Sequence, residues 1–124
     1  MEPLNITAVL AGTALSFVAG WAYYSPKALG RSWATGSGIS PEPPATLPWA
    51  AMALQLIGLF LLALVVGLTA QSNALFTAIF AILAAAGMVM AQDAFSQKSG
   101  TATLIDGGYV VLAGVLMILC QGLL

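Results

Sequence analysis

The chain is 124 residues long, and 60% of its residues are hydrophobic while only 6% are charged. Because an ordinary soluble domain has about a quarter of its residues charged, this composition excludes a water-soluble globular protein and predicts an integral membrane protein in contact with the lipid bilayer. The formal net charge of −1, with three basic residues in all, also excludes nucleic-acid binding through a basic surface, which needs clustered Lys and Arg.

Intervals without charged residues mark the membrane spans. Residues 3–26, 43–92 and 107–124 carry no charge, and a membrane-crossing helix needs about 20 mostly apolar residues. The middle interval is therefore long enough for two spans, which the polar stretch 71–73 separates as a turn. We predict an all-α integral membrane protein, with four transmembrane helices in a single bundle and a short interfacial helix in the first loop. The four helices are expected near residues 4–24, 47–69, 74–94 and 103–124, in a single domain over residues 1–124.

A cleaved signal peptide is the alternative for the first span. Residues 1–3 contain no Lys or Arg, whereas a signal peptide begins with a basic region, and the apolar run is longer than the signal-peptide core of about 7–15 residues. We therefore expect the first helix to be permanent.

Small residues recur along one face of the first span. Ala8, Gly12, Ser16 and Gly20 are spaced four apart, and such stripes let neighbouring helices approach closely in lipid. The stripe can pack against the chain's own helices or against a second copy of the chain. We favour the chain's own helices, because every membrane bundle needs such faces.

The first loop begins with the stretch Y-Y-S-P-K-A-L-G-R-S-W at residues 23–33. Ser25 suits a helix N-cap and Pro26 suits the first helical position, so we predict a short helix over residues 26–34. Lys27 and Arg31 would then share one face of this helix, with the opposite, apolar face in the membrane interface. A belt of interfacial aromatic anchors is expected from Trp21, Tyr23, Tyr24, Trp33 and Trp49. The alternatives are a loop with no partner and a loop with a specific docking role.

Two carboxylates lie at helix ends on the same side of the membrane as this loop. Asp106 is expected in the first turn of the fourth span, where the helix dipole favours an anion, and Asp93 in the last turn of the third span, where the dipole disfavours one. Asp93 should therefore pair with a basic side chain or a Trp or Tyr donor, and we favour Arg31 over Lys98 because its guanidinium can hold a carboxylate with two bonds. The predicted polar cluster consists of Lys27, Arg31, Asp93, Lys98, Asp106 and Tyr109. It would be a structural ion-pair group or a proton or cation relay.

The basic residues also set the expected orientation. All three lie in the two loops on one side of the predicted bundle, and the positive-inside rule places those loops in the cytoplasm. Both termini are then expected in the periplasm of a bacterial cell, with the protein in the inner membrane.

The order of several short motifs resembles a known family. G-W-A-Y-Y-S-P-K-A-L-G-R-S-W begins at Gly20, F-S-Q-K-S begins at Phe95, and L-I-D-G-G-Y begins at Leu104. This pattern resembles a bacterial family of small four-helix membrane proteins catalogued as domain of unknown function 1761. The resemblance covers nearly the whole chain and implies the fold and topology, and it implies no activity. Leu29 and Ser96 depart from the Phe and Glu that the family tends to have there.

The residues that catalysis uses are scarce. The chain has no histidine and one cysteine, Cys120, so we expect no enzyme, no metal and no cofactor. The leading hypothesis is an accessory or scaffolding subunit of a larger membrane assembly, whose partners are other membrane proteins or copies of itself. The alternative is small-solute, ion or proton transport through a homo-oligomer, since polar groups are scarce in the middle of one copy.

Overall fold

A computed structural model describes residues 3–40 and 47–124. These residues form five α-helices and no strand, so the predicted all-α class, with four long apolar helices and one short helix, is confirmed. Residues 1 and 2, on which the signal-peptide alternative depends, and residues 41–46 of the first loop lie outside the described residues. The helices are α1 (Ile6–Tyr23), α2 (Gly30–Ser37), α3 (Trp49–Ala70), α4 (Leu75–Phe95) and α5 (Gly100–Leu123).

The ends of the four long helices lie within three residues of the predicted ends. The largest difference is the start of α5, which begins at Gly100 because the Ser99 side chain caps it by accepting a hydrogen bond from the Ala102 N–H at 3.1 Å. Asn73, in the turn between α3 and α4, has a φ of 55°, a left-handed conformation that asparagine tolerates well. All four helices are long and apolar enough to cross a membrane.

Helix α5 is the centre of the bundle and packs antiparallel to both α1 and α4. A Cβ placed on Gly12 of α1 would lie 3.3 Å from the Cα of Met117, and one on Gly114 would lie 2.5 Å from Ile82 of α4. Helices pack this closely only where the side chain between them is small. The stripe of Ala8, Gly12, Ser16 and Gly20 thus packs within the chain, because Ala8, Gly12 and Ser16 are buried and Gly20 faces Tyr109.

The outward faces of the long helices are apolar. Each helix exposes large hydrophobic side chains, as expected of surfaces that contact lipid or other membrane proteins. Examples are Val18 on α1, Leu54 on α3, Phe76, Phe80 and Met88 on α4, and Leu104 and Leu119 on α5.

The short helix lies later in the chain than predicted. Residues 24–29 form turns rather than helix, with the Leu29 N–H bonded to the Tyr23 carbonyl at 3.1 Å and the Gly30 N–H bonded to the Ser25 carbonyl at 2.9 Å. Gly30 lies against the Tyr24 carbonyl, where a side chain would collide. Helix α2 therefore begins at Gly30 and ends at Ser37, and its C-cap Gly38 has a φ of 75°. Lys27 lies outside the helix, so the predicted shared face with Arg31 is wrong.

Candidate functional site

Lys98 joins two buried carboxylates at the end of the bundle where α4 ends and α5 begins. Its Nζ lies 3.6 Å from Asp93 Oδ1 and 3.4 Å from Asp106 Oδ2. Asp93 is 7% exposed and Asp106 is 9% exposed. We call Asp93, Lys98 and Asp106 the Lys98 cluster. With every group ionised, it carries one net negative charge.

The turn between α4 and α5 positions the lysine. Gln97 has a φ of 61°, and the Lys98 N–H bonds back to the Asp93 carbonyl at 3.0 Å, so the chain reverses within a few residues of Asp93. Asp106 lies in the second turn of α5, because the helix begins at Gly100. The prediction that Asp106 occupies the first turn is therefore wrong, and Lys98 and Tyr24 stabilise its charge in place of exposed helix N–H groups.

Tyrosine hydroxyls from the end of α1 reach into the start of α5. Tyr24 donates a hydrogen bond of 2.5 Å to Asp106 Oδ1, and Tyr23 donates one of 2.7 Å to the Ile105 carbonyl. Burial, and then the hydrogen bond to Asp106, raise the pKa of Tyr24, so the phenol stays protonated and remains a donor. Both tyrosines are partly buried in the bundle, rather than lying in an outward belt as predicted.

Tyr109 takes part in the same aromatic group without binding a carboxylate. Its ring centroid lies 5.7 Å from that of Tyr23 and 5.6 Å from that of Tyr24. Its hydroxyl donates to the Ser16 carbonyl at 2.7 Å. Tyr109 therefore ties α5 to α1 below the Lys98 cluster.

Helix α2 covers the cluster through Trp33 and Gly36. Lys98 Nζ lies 5.2 Å from the Trp33 ring centroid, within cation–π range, and the Trp33 ring packs 5.4 Å from that of Tyr24. The Ser99 N–H bonds to the Gly36 carbonyl at 2.9 Å. The predicted contact of the first loop with the helix ends is present, and α2 packs mainly on α5.

The predicted pairing of Arg31 with Asp93 is wrong. Arg31 and Lys27 are both exposed, and neither forms an ion pair with any residue that the structure describes. Lys98 takes the pairing because the tight turn after α4 holds it five residues from Asp93. This short separation was visible in the sequence and outweighs the better geometry of the guanidinium.

Three buried polar atoms make no hydrogen bond within the described ranges. They are Trp33 Nε1, Ser37 Oγ and Asp93 Oδ2. The unpartnered carboxylate oxygen matters most, because leaving a buried charged acceptor unsatisfied costs more than about 1–3 kcal/mol. The sequence gives no signal for this feature beyond the unfavourable end of the α4 dipole.

The other two predicted aromatic anchors lie outside the cluster. Trp21 near the end of α1 and Trp49 at the start of α3 are 64% and 66% exposed. Their role as interfacial anchors stays a prediction. Among residues 3–40 and 47–124, no group of three or more His, Cys, Asp or Glu could hold a metal ion.

Two open grooves lie at the opposite end of the bundle. One, of about 330 Å³, is bordered by Thr69, Asn73 and Gln121 together with apolar side chains. The other, of about 410 Å³, is bordered by Asn5, Gln71 and Gln121. Neither groove includes a member of the Lys98 cluster, so the charged cluster and these grooves are separate features.

The Tyr24 hydroxyl offers a direct test of the cluster. Tyr24→Phe should lower the free energy of unfolding by about 1.5–3 kcal/mol, the usual contribution of a hydrogen bond to a charged group. Tyr23→Phe is the matched control and should cost about 1 kcal/mol, because it removes a bond to a neutral carbonyl. Thermal unfolding in mild detergent, monitored by circular dichroism, measures both. Equal losses would mean that the Tyr24 bond gains nothing from the charge of Asp106.

The arrangement of helices and motifs agrees with one family. The family described as Protein of unknown function (DUF1761) matches residues 7–122. The chain belongs to this family. The match includes all three members of the Lys98 cluster and the tyrosines and tryptophan around it. No similar curated protein and no similar solved structure was found.

Proposed function

We propose that this DUF1761 protein is a non-catalytic membrane subunit that acts by lateral assembly with other membrane proteins or with copies of itself. The observation that carries the proposal is the closed middle of the bundle. The Thr13 hydroxyl bonds to the Val9 carbonyl at 2.8 Å, and the Ser16 hydroxyl bonds to the Ala113 carbonyl at 3.3 Å. A solute crossing the bilayer needs polar groups along its path, and here these groups are bound to backbone.

The outward faces are compatible with such assembly. Helix α4 packs on α5 and α3 and exposes Phe76, Phe80 and Met88 to 75%, 67% and 71%. Lipid or a neighbouring transmembrane helix can cover such a face equally well. A subunit needs only these surfaces and a packed helical bundle, and both are features of this chain.

Site-specific photo-crosslinking tests the proposal. A photoreactive amino acid is placed at Phe80 on α4, at Val18 on α1 and at Leu54 on α3, in the chain expressed in its native host. The proposal expects one face to give a discrete protein adduct and the other faces to give lipid adducts, with mass spectrometry identifying the partner or a second copy. Lipid adducts alone from all three faces would contradict a subunit role.

Transport through a homo-oligomer is the second candidate function. The observation that favours it is the buried, unpartnered Asp93 Oδ2, since carboxylates inside membranes often mark ion or proton paths. Purified protein in liposomes should then carry protons or cations, and Asp93→Asn should abolish the flux while Lys27→Met leaves it intact. A homo-oligomer with this flux would replace the subunit role.

The membrane and orientation are part of the proposal. We place the protein in a bacterial inner membrane, with Lys27, Arg31 and Lys98 on the cytoplasmic side and both termini in the periplasm, in agreement with the positive-inside rule. Reporter fusions at the C-terminus should therefore behave as periplasmic, and fusions after Gly38 as cytoplasmic. The reverse pattern would refute the orientation.

A further inference from the structure

The Lys98 cluster has one more negative charge than positive charge in a buried setting. The Asp93 and Asp106 side chains are 10% and 11% exposed, and Lys98 is the one cation within ion-pair distance of them among residues 3–40 and 47–124. An uncompensated charge near hydrocarbon is expensive. The cluster therefore favours the binding of one further positive charge.

The structure also indicates which carboxylate is less stabilised as an anion. Asp106 accepts hydrogen bonds from Tyr24 at 2.5 Å and from Lys98 at 3.4 Å. Asp93 has the longer ion-pair contact, at 3.6 Å from Lys98. Its Oδ2 has no hydrogen-bond partner within the described residues, and it lies in the last turn of α4, at the negative end of the helix dipole. A proton on Asp93 would remove the least favourable charge.

Among residues 3–40 and 47–124, no further charged side chain forms an ion pair with the cluster. From α1, Tyr23 and Tyr24 face the start of α5, with their hydroxyls donating to Ile105 and Asp106. From α5, Tyr109 donates to Ser16, and from α2 the neutral Trp33 ring lies over Lys98. Arg31 of α2 is exposed and forms no ion pair with the described part of the chain. The charge balance is therefore set by Asp93, Lys98 and Asp106.

We propose that the Lys98 cluster is a proton-binding site, in which the two carboxylates hold one exchangeable proton on Asp93 Oδ2 at neutral pH. Binding forms one O–H bond with a proton taken from the water at the end of the bundle where α4 ends and α5 begins. It changes the charge of the Lys98 cluster from −1 to 0. Release returns the proton to the same side, because the 25% exposed Lys98 side chain is the most open member of the cluster. The inference goes beyond the proposed subunit role and does not depend on it.

Infrared spectroscopy of the full chain in lipid nanodiscs tests this proposal. The chain has four acidic side chains in all, so a Glu2→Gln, Glu42→Gln background leaves Asp93 and Asp106 as the only ones. At neutral pH this background should show the C=O stretch of one protonated carboxyl group per chain. Labelling the aspartate side-chain carboxyl with ¹³C should shift the band, and this measurement needs no substitution in the cluster.

Charge substitutions give the proposal a signature that a merely structural cluster lacks. Asp93→Asn and Asp106→Asn should each abolish the band, because the remaining carboxylate and Lys98 form a neutral pair. Lys98→Met should double the band, since both carboxylates lose their cation, and Lys27→Met should leave it unchanged. A labelled background chain without a protonated-aspartate band at neutral pH would overturn the proposal. So would a band that persists in either asparagine variant.

Discussion

Gly12→Leu is expected to lose most of the folded protein. A Cβ at this position would already lie 3.3 Å from both the Cα and the Cγ of Met117, so the three further carbons of leucine have no space unless α1 and α5 separate. Overpacking of a well-filled interior costs about 1–3 kcal/mol and occasionally more, and this contact involves backbone, so we expect a loss of at least about 3 kcal/mol. The yield of monodisperse protein in mild detergent and its thermal unfolding measure the effect.

The chain offers matched controls for this change. Gly58 on α3 and Gly87 on α4 have nothing within 4 Å of an added Cβ, so Gly58→Leu and Gly87→Leu should fold as well as the wild type. Leu15→Ile, at an exposed position of α1, should also be mild. If Gly12→Leu is tolerated as well as these controls, α1 and α5 do not pack as described.

Lys98→Met is expected to have the largest effect of any single change of charge. It leaves two buried carboxylates without their cation, and breaking a buried ion pair on one side costs about 3–5 kcal/mol. The full loss of unfolding free energy should appear at alkaline pH, where both carboxylates are ionised. It should shrink as the pH falls, because protonation removes the unpaired charges. Thermal unfolding of the variant over a series of pH values measures this dependence.

Lys27→Met is the control for this prediction. Lys27 is exposed and has no ion-pair partner in the described ranges, so the same substitution should change the stability by less than about 1 kcal/mol at every pH. Arg31→Ala should be similarly mild. A loss at Lys98 no larger than the loss at Lys27, or a loss that is independent of pH, would mean that the cluster charges do not stabilise one another.

The positions of the four spans can be predicted from the sequence, because the charge-free intervals and the length of a bilayer crossing together determine them. The sequence was not sufficient for the short helix. Ser25 and Pro26 suit a helix start by local preference. However, Gly30 packs against the Tyr24 carbonyl, and the Ser25 carbonyl accepts a hydrogen bond from the Gly30 N–H in the turn. These contacts outweigh the local preference, so the helix begins at Gly30 rather than at the predicted residue 26.

Three of the six residues of the predicted polar cluster form the Lys98 cluster. Placing both loops on one side brings Asp93, Lys98 and Asp106 to the same end of the bundle, as the structure has them. The predicted partner Arg31 is wrong because the chain reversal at the left-handed Gln97 brings Lys98 to Asp93, which outweighs the better side-chain geometry of arginine. The sequence does not predict the inward position of Tyr23 and Tyr24, because an aromatic residue at a helix end has the same sequence pattern whether it faces lipid or the bundle.

Neutralising the whole cluster tests most directly whether its three charges act as one network. The triple variant Asp93→Asn, Lys98→Met, Asp106→Asn is compared with Lys98→Met alone by thermal unfolding at alkaline pH. Replacing a complete buried ion group by neutral residues is often tolerated, whereas removing one partner is not. The triple variant should therefore regain most of the stability that Lys98→Met loses. A triple variant as unstable as the single variant would contradict the network.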